Sequence, residues 1–266
     1  MVLNRLFERV GKKPKGGPPN LRAYAVGDVH GRLDLLKDLL ELIERDDASR
    51  PPARTWLIFL GDLVDRGPDS RGVVEHLLRH ESAFAQTVFL KGNHEEFLLR
   101  VLAGEEEVVT DWLTYGGYEC AESYGVTKGW TLNATPAEIM SRVQQSVPDE
   151  HRAFLEGMAD TFRFGDYLFV HAGIRPGVPI AEQSAKDLRW IRDGFLESRT
   201  DHGLIVVHGH TIVDAPEQHS NRIAVDTGAY RNGVLTAVGL EGTERWFVQA
   251  RESEAQAEAG RTALAS

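Results

Sequence analysis

The sequence predicts an α/β protein built around a parallel β-sheet, and the pattern of its first third is the main reason. Three times, a short apolar run ends near a glycine and is followed by apolar residues at helical spacing. A strand–loop–helix order repeated in this way is typical of parallel sheets with helices on their faces. The apolar runs lie at 24–26, 56–60 and 88–90, and the helical patterns follow at 33–43, 73–78 and 97–102.

The rest of the chain predicts a helical insertion followed by a β-rich half. Residues 105–160 interrupt the alternation with a mostly helical period, and we expect them to cover one edge of the sheet. From Phe164 onward the sequence becomes rich in strands. Strand-like runs lie at 168–170, 204–207, 223–225, 234–238 and 245–248.

The two ends of the chain differ from the middle in composition. Residues 1–20 join a short amphipathic turn to a basic linker rich in Gly and Pro, so we expect a flexible leader. Residues 251–266 are rich in Ala and Glu and are expected to be disordered. A single domain is therefore predicted over residues 21–250.

Composition excludes several functional classes. Of the 266 residues 42% are hydrophobic and the net charge is −10, which is ordinary for a globular protein but disfavours nucleic-acid binding. A single cysteine, Cys120, excludes an intramolecular disulfide and a thiolate zinc site. No apolar stretch approaches the ~18 residues of a membrane span. We expect a cytoplasmic protein without integral membrane association.

Residues able to bind metal ions follow the predicted strands. In open α/β sheets, loops at the carboxyl ends of strands meet in one crevice, so we expect these segments to converge. The segments are Gly-Asp-Val-His-Gly at 27–31, Gly-Asp-Leu-Val-Asp-Arg-Gly at 61–67, Gly-Asn-His-Glu at 92–95, His-Ala-Gly at 171–173 and His-Gly-His-Thr at 208–211.

Carboxylate, amide and imidazole groups are the ligands that hard and borderline divalent cations prefer. Asp28 and His30 leave a strand end on the same face, and Asp62 could offer one oxygen to each of two ions. Two ions that share a carboxylate suit phosphoryl transfer, and water between them loses a proton near neutral pH. The guanidinium of Arg66 suits two phosphate oxygens. The remaining candidate ligands are Asn93, His171 and His210.

Together these motifs resemble the calcineurin-like metallophosphoesterase superfamily, and within it the compact bacterial and phage form of the phosphoprotein phosphatases. The resemblance covers residues 21 to about 248. It implies two mixed β-sheets packed face to face with helices outside, an arrangement that the alternation of strands and helices does not itself predict.

The resemblance also implies a role for each matching residue. The first metal would be held by Asp28, His30 and Asp62, and the second by Asp62, Asn93, His171 and His210. Two divalent ions are implied, with Mn²⁺ favoured and Fe or Zn as alternatives. Phosphate would be bound by Arg66 and by Arg192, for which Arg189 is the alternative. The proton donor would be His94, oriented by Asp65.

A serine/threonine protein phosphatase is the predicted function, and hydrolysis of dinucleoside polyphosphates is the alternative. Enzymes of the latter group resemble the chain closely, but they typically carry a small residue in place of Asp65 and Asp in place of Glu95. A non-catalytic phosphate-binding module is disfavoured because all six ligand positions are filled. The expected partner is a phosphorylated protein or a small phosphoester.

Overall fold

The structure is a computed structural model that describes residues 14–80 and 82–252. Ten strands form two five-stranded sheets. In chain order the strands are β1 (Leu21–Val26), β2 (Arg54–Phe59), β3 (Ala85–Phe89), β4 (Thr161–Phe164), β5 (Tyr167–Val170), β6 (Ile205–His208), β7 (Glu217–Gln218), β8 (Arg222–Ala224), β9 (Val234–Glu241) and β10 (Glu244–Arg251).

The helices lie mainly between strands of the first sheet and in the insertion. Short 3₁₀ turns at Glu106–Val108 and Ile180–Glu182 and a π-helical turn at Leu113–Gly117 join them. The α-helices are α1 (Leu33–Ser49), α2 (Ser70–Arg79), α3 (Asn93–Ala103), α4 (Val109–Trp112), α5 (Tyr118–Ser123), α6 (Lys128–Thr131), α7 (Pro136–Ser146), α8 (Asp149–Glu156), α9 (Ala185–Trp190) and α10 (Ala229–Asn232).

Both sheets are mixed: the parallel strands form one side of the first sheet and the centre of the second. The first sheet has the order β10-β9-β1-β2-β3, in which β1, β2 and β3 are parallel. The second has the order β4-β5-β6-β8-β7, in which β5, β6 and β8 are parallel. The α/β class and the two mixed sheets are therefore confirmed.

The sheets pack face to face through side chains that alternate along each strand. In β1, Ala23 and Ala25 face the second sheet, whereas Tyr24 and Val26 pack against the helices. Strands buried on both faces have no polar face, so period-two alternation of polar and apolar residues is absent from their sequence. This arrangement brings loops that follow parallel strands of the two sheets into contact.

The predicted insertion is helical from Glu106 to Glu156, which we call the insertion segment, and it packs onto the helical side of the first sheet. Within the predicted leader, the N–H of Gly17 donates to the Gly242 carbonyl, and Gly16 donates to Asp166. Flexibility of residues 1–13 and disorder of 253–266 stay predictions, because both lie outside the described residues. Among those described, no helix combines the length and apolar character needed to cross a bilayer.

Candidate dinuclear metal centre and active site

The six side chains predicted as metal ligands lie together where strands of both sheets end. The first sheet contributes the loops after β1 and β2 and the first residue of α3, and the second contributes the loops after β5 and β6. All six are buried: Asp28, His30, Asp62, Asn93, His171 and His210.

The tightest cluster surrounds the ring of His171. Its Nε2 lies 3.0 Å from Asn93 Oδ1, 3.2 Å from His210 Nδ1 and 3.3 Å from Asp62 Oδ2. Its Nδ1 lies 2.9 Å from the carbonyl of Leu60, which only a protonated Nδ1 can satisfy. Burial alone would lower the pKa of His171, but the Asp62 carboxylate outweighs this effect and raises that pKa, which favours a proton on Nε2 as well. A divalent cation would displace that proton, and lone pairs of these four side chains would then point at the cation.

A second cluster adjoins the first through Asp62. The Nδ1 of His30 donates to the Val64 carbonyl at 2.8 Å, and its Nε2 lies 3.6 Å from Asp62 Oδ2. Ligand atoms of His30, Asp62 and His94 all lie within 4.8 Å of one another. The carboxylate of Asp28 lies outside that triplet and accepts the backbone N–H of His210 at 3.0 and 3.2 Å. Asp62 is thus the residue common to both clusters.

The electrostatics of the buried groups favour metal binding. Burial lowers the pKa of His210 to about 2 and holds the pKa of His30 well below its usual range, so both rings are neutral and able to act as ligands. Burial, and then the charges of Asp226 and Asp62, raise the pKa of Asp28 well above its usual range. Burial alone would raise the pKa of Asp62 too, but the nearby His171 charge keeps it well below normal.

The donor set fits divalent cations. It contains two carboxylates, one amide and three imidazoles but no thiolate, and burial raises the pKa of the Cys120 thiol, which lies against Asp65. The Nε2 atom of His210 is buried and has no hydrogen-bond partner among the described residues. The other ring nitrogen of His210, Nδ1, faces His171 in the cluster and is the atom placed to bind a cation there.

The side chain of His94 is oriented by Asp65. His94 Nδ1 donates to Asp65 Oδ2 at 2.7 Å, and Trp112 Nε1 donates to the other carboxylate oxygen at 3.1 Å. The Nε2 atom of His94 is buried, has no partner among the described residues and lies 3.9 Å from Asp62 Oδ2. This unpartnered nitrogen therefore faces the six predicted metal ligands, which we call the metal cluster.

Trp112 and Glu95 are supporting residues whose contacts the sequence does not predict. Glu95 occupies the first turn of α3, and its carboxylate accepts the N–H groups of Asp62, Leu63 and Gly92 at 2.7–2.8 Å. This fixes the loop after β2 to the start of α3. A Glu at the third position of a helix is a known capping signal, which could have indicated the bond to Gly92.

Arg66 reaches the metal cluster and is held from several sides. Its Nη1 donates to His30 Nε2 at 3.1 Å, and its guanidinium lies 4.9 Å from the ring centre of Tyr230. Its backbone N–H donates to the carbonyl of Gly116 at 3.0 Å. A Cβ at Gly116 would lie 2.5 Å from Arg66 Cγ, and the φ of Gly116 is +114°, so this contact requires glycine.

The two candidates for the second phosphate arginine lie in different surroundings. Arg192 Nη2 donates to the carbonyl of the proposed ligand His210 at 3.3 Å. Arg189 instead donates to Asp160 and to Glu96, at 2.5 and 3.1 Å. Arg192 is next to the metal cluster and forms no ion pair with a carboxylate in the described part of the chain. Arg189 already forms ion pairs with two carboxylates.

Strained backbone is concentrated at this site. Six non-glycine residues in the described part of the chain have positive φ, and five of them are predicted site residues. This conformation is unfavourable for residues with a Cβ and persists where surrounding structure imposes it. The five are His30 (+44°), Asp62 (+50°), Asp65 (+71°), Arg66 (+67°) and His210 (+63°).

An aromatic rim (Phe97, Tyr115 and Trp190) borders the site. Tyr115 stacks on Phe97 with centroids 5.8 Å apart, and Trp190 meets Phe97 edge-on at 5.3 Å. Trp190 lies 6.4 Å from the ring of His210, and the carbonyl of Tyr115 accepts a bond from Arg66. Tyr115 is 51% exposed. The aromatic rim thus runs from the metal cluster to an accessible ring.

Comparison with known families agrees with this site. The family model described as calcineurin-like phosphoesterase matches residues 21–239, most of the chain. The chain belongs to the calcineurin-like phosphoesterases. It is therefore a hydrolase of the metallophosphoesterase type. The family uses divalent metal ions, and the His/Asp clusters of this chain could hold such ions.

Curated relatives of this calcineurin-like phosphoesterase carry two kinds of name. An asymmetrical bis(5'-nucleosyl)-tetraphosphatase PrpE of Anoxybacillus flavithermus is 28% identical over 80% of this chain and 88% of its own length. Serine/threonine-protein phosphatase 1 of Salmonella typhimurium is 29% identical over 82% of this chain and 91% of its own length. The names divide between the predicted function and its alternative.

Solved structures share the fold. A putative diadenosine tetraphosphatase superimposes with a TM-score of 0.60 at 22% identity, covering 91% of this chain and 100% of its own. A cold-active protein tyrosine phosphatase superimposes with a TM-score of 0.54 at 17% identity, covering 89% of this chain and 83% of its own.

Proposed function

We propose that the protein is a serine/threonine protein phosphatase that uses two divalent metal ions and acts in the cytoplasm. The observation that carries this proposal is the orientation of His94, whose Nε2 faces the metal cluster while Asp65 holds Nδ1 at 2.7 Å. A phosphorylated serine or threonine leaves as a strongly basic alkoxide, which requires a proton. A relative named serine/threonine-protein phosphatase 1 supports the choice.

The metal-binding roles follow the two clusters. Asp62 would be shared between both positions. Bound divalent ions would supply a nucleophile from water at neutral pH and offset phosphate charge. Mn²⁺ is the proposed ion, with Fe and Zn as alternatives, because mixed oxygen and nitrogen sites suit it. The first ion would be held by Asp28, His30 and Asp62, and the second by Asp62, Asn93, His171 and His210.

The cationic side chains would bind and orient the phosphate. Arg66 lies over the ring of Tyr230, and Arg192 donates to the carbonyl of His210, so each guanidinium is held near the proposed ligands by a different contact. A guanidinium matches two phosphate oxygens at once, so the pair would fix the phosphorus relative to the cluster. The chain has a net charge of −10, but the field of surface charges farther away than ~8 Å is screened at physiological salt.

His94 would act as the general acid. Its Nε2–H would donate the proton to the leaving oxygen, and Asp65 would stabilise the charged ring through the bond to Nδ1. The hydrogen bond from Trp112 Nε1 to the other oxygen of the Asp65 carboxylate would help to hold it in position. General acid catalysis of this kind contributes about 10²–10⁴-fold.

Hydrolysis of dinucleoside polyphosphates is the second candidate, and the aromatic rim favours it. A half-exposed tyrosine beside a phosphate-binding arginine is suited to stacking a nucleobase. Relatives named bis(5'-nucleosyl)-tetraphosphatase support it as well. A polyphosphate leaving group is weakly basic, so this reaction depends less on His94.

A substrate panel separates the candidates. Purified protein with Mn²⁺ is assayed on a phosphoserine peptide, a phosphotyrosine peptide and diadenosine tetraphosphate, and we expect the highest kcat/KM on the phosphoserine peptide. The Tyr115→Ala variant is the control, since it should leave that value nearly unchanged. A higher kcat/KM on diadenosine tetraphosphate, reduced in Tyr115→Ala, would instead establish the second candidate.

A further inference from the structure

One further buried carboxylate, that of Asp226, lies near the proposed metal ligands and has no assigned role. Asp226 follows β8 and is 1% exposed. Its Oδ1 accepts the N–H of Gly228 at 2.9 Å. Its Oδ2 is buried and has no hydrogen-bond partner among the described residues. A buried carboxylate oxygen without a partner is costly, and a cation bound next to it would offset that cost.

The Asp226 loop lies directly against the loop that carries Asp28. A Cβ at Gly27 would be 2.6 Å from the Val225 carbonyl and 3.4 Å from the Asp226 nitrogen. Asp226 is therefore a buried carboxylate in addition to those of Asp28 and Asp62, and its loop contacts the loop of Asp28, a proposed ligand of the first ion.

Few positive charges balance these three acids. Arg66 and His171 are the cationic groups whose charges act on Asp226. Arg66 donates to His30, and the ring of His171 contacts Asp62. Neither cation hydrogen-bonds to the free Oδ2 of Asp226. A divalent cation at the first position would neutralise the excess negative charge there.

We infer that Asp226 is a further carboxylate ligand of the first metal position, acting through its Oδ2. The first position has three proposed ligands and the second has four, and Mn²⁺ prefers several oxygen donors. Asp226 would bring the first position to four. The inference rests on the dinuclear centre proposed above and is independent of the choice of substrate.

Mn²⁺ binding by the full chain tests the inference directly. Metal-free protein is titrated with Mn²⁺ by calorimetry, and bound ions are counted by elemental analysis. Wild type should bind two ions. The Asp226→Asn variant should bind one of them more weakly, with a dissociation constant raised at least ~10-fold, as loss of a group that supports a metal does. Asp201→Asn is the matched control, because Asp201 makes the same bond to the N–H of a glycine two residues later, Gly203, on an exposed loop.

Thermal unfolding separates a ligand from a merely structural turn. Asn keeps the Oδ1 acceptor for Gly228 and removes a buried charge, so metal-free Asp226→Asn should have a Tm equal to or above that of wild type. The rise in Tm caused by Mn²⁺ should be smaller than in wild type. Asp226→Ser, which keeps a short acceptor, should repeat the weakened binding.

Three results would overturn the inference. Wild-type dissociation constants at both positions in Asp226→Asn would show that Asp226 is not a ligand. An equal fall in Tm with and without Mn²⁺ would assign it to the turn alone. Fewer than two ions bound by wild type would overturn the dinuclear centre itself.

Discussion

The strand-end loops and the insertion segment serve the site in different ways. The loops after β1, β2, β5 and β6, with the start of α3, carry all the proposed metal ligands. The insertion segment carries none of them, yet its Trp112 holds Asp65 and its Gly116 holds Arg66. The comparison indicates that binding groups are encoded in short local motifs, whereas their orientation depends on contacts between distant parts of the chain.

The largest effect is expected from the residue that both clusters share. Asp62→Asn should lower kcat by more than the ~10²–10³-fold that removal of one transition-state donor costs, because both ions lose a charged ligand. Metal analysis should show occupancy reduced at both positions. Asp28→Asn, which affects one position, is the comparison and should be less damaging. Two tightly held ions in Asp62→Asn would contradict the shared role.

The next effect concerns the proton donor and depends on the leaving group. His94→Asn should lower kcat on a phosphoserine peptide by about 10²–10⁴-fold. The loss on nitrophenyl phosphate should be distinctly smaller, because a nitrophenolate leaves without a proton. Both rates are measured with the metal content of the variant verified. Equal losses on the two substrates with metals retained would exclude His94 as the acid.

A smaller effect is expected at the second arginine. Arg192→Ala should lower kcat/KM by about 10–10²-fold through both kcat and KM, since a phosphate contact strengthened in the transition state is lost. Arg189→Ala is the matched variant from the same segment and should mainly affect stability, because its partners are Asp160 and Glu96. Steady-state kinetics measure kcat/KM for both variants. A larger loss of kcat/KM in Arg189→Ala than in Arg192→Ala would contradict the assignment.

The smallest effect tests the insertion segment itself. Trp112→Phe removes one N–H and keeps a large ring, so kcat on the phosphoserine peptide should fall about 10-fold, as loss of a hydrogen bond to a charged group does. The fall should be smaller on nitrophenyl phosphate, because Trp112 acts through Asp65 and His94. A variant equally impaired on both substrates would indicate general disruption of the site rather than misorientation of the acid.

The sequence predicts the parts of the molecule that are local. The α/β class follows from three repeats of strand, loop and helix, and the six proposed ligand positions follow from motifs at the ends of strands. The face-to-face packing of two sheets follows only from the family resemblance, because strands buried on both faces lack an alternating pattern. The leader was expected to be flexible through residue 20, yet bonds to Gly242 and Asp166 hold Gly16 and Gly17.

The remaining details depend on distant partners. Trp112 lies 47 residues from Asp65, and no spacing rule relates a helix in an insertion to a loop after β2. The family resemblance favours Arg192 over Arg189, but their different surroundings appear only in the fold, where Asp160 and Glu96 lie next to Arg189. Asp226 resembles an ordinary turn residue until its unpartnered oxygen is located beside Asp28.

The positive φ angles at the site have a consequence for how the protein tolerates change. At five positions the backbone would be relaxed by glycine, yet each position carries a side chain that the proposed chemistry requires. Strain of this kind costs about 1–3 kcal/mol per residue and is maintained by packing around it. Substitutions that loosen the surrounding core should therefore abolish turnover before they unfold the chain. Stabilising substitutions are best sought far from these loops, where they do not oppose the reaction.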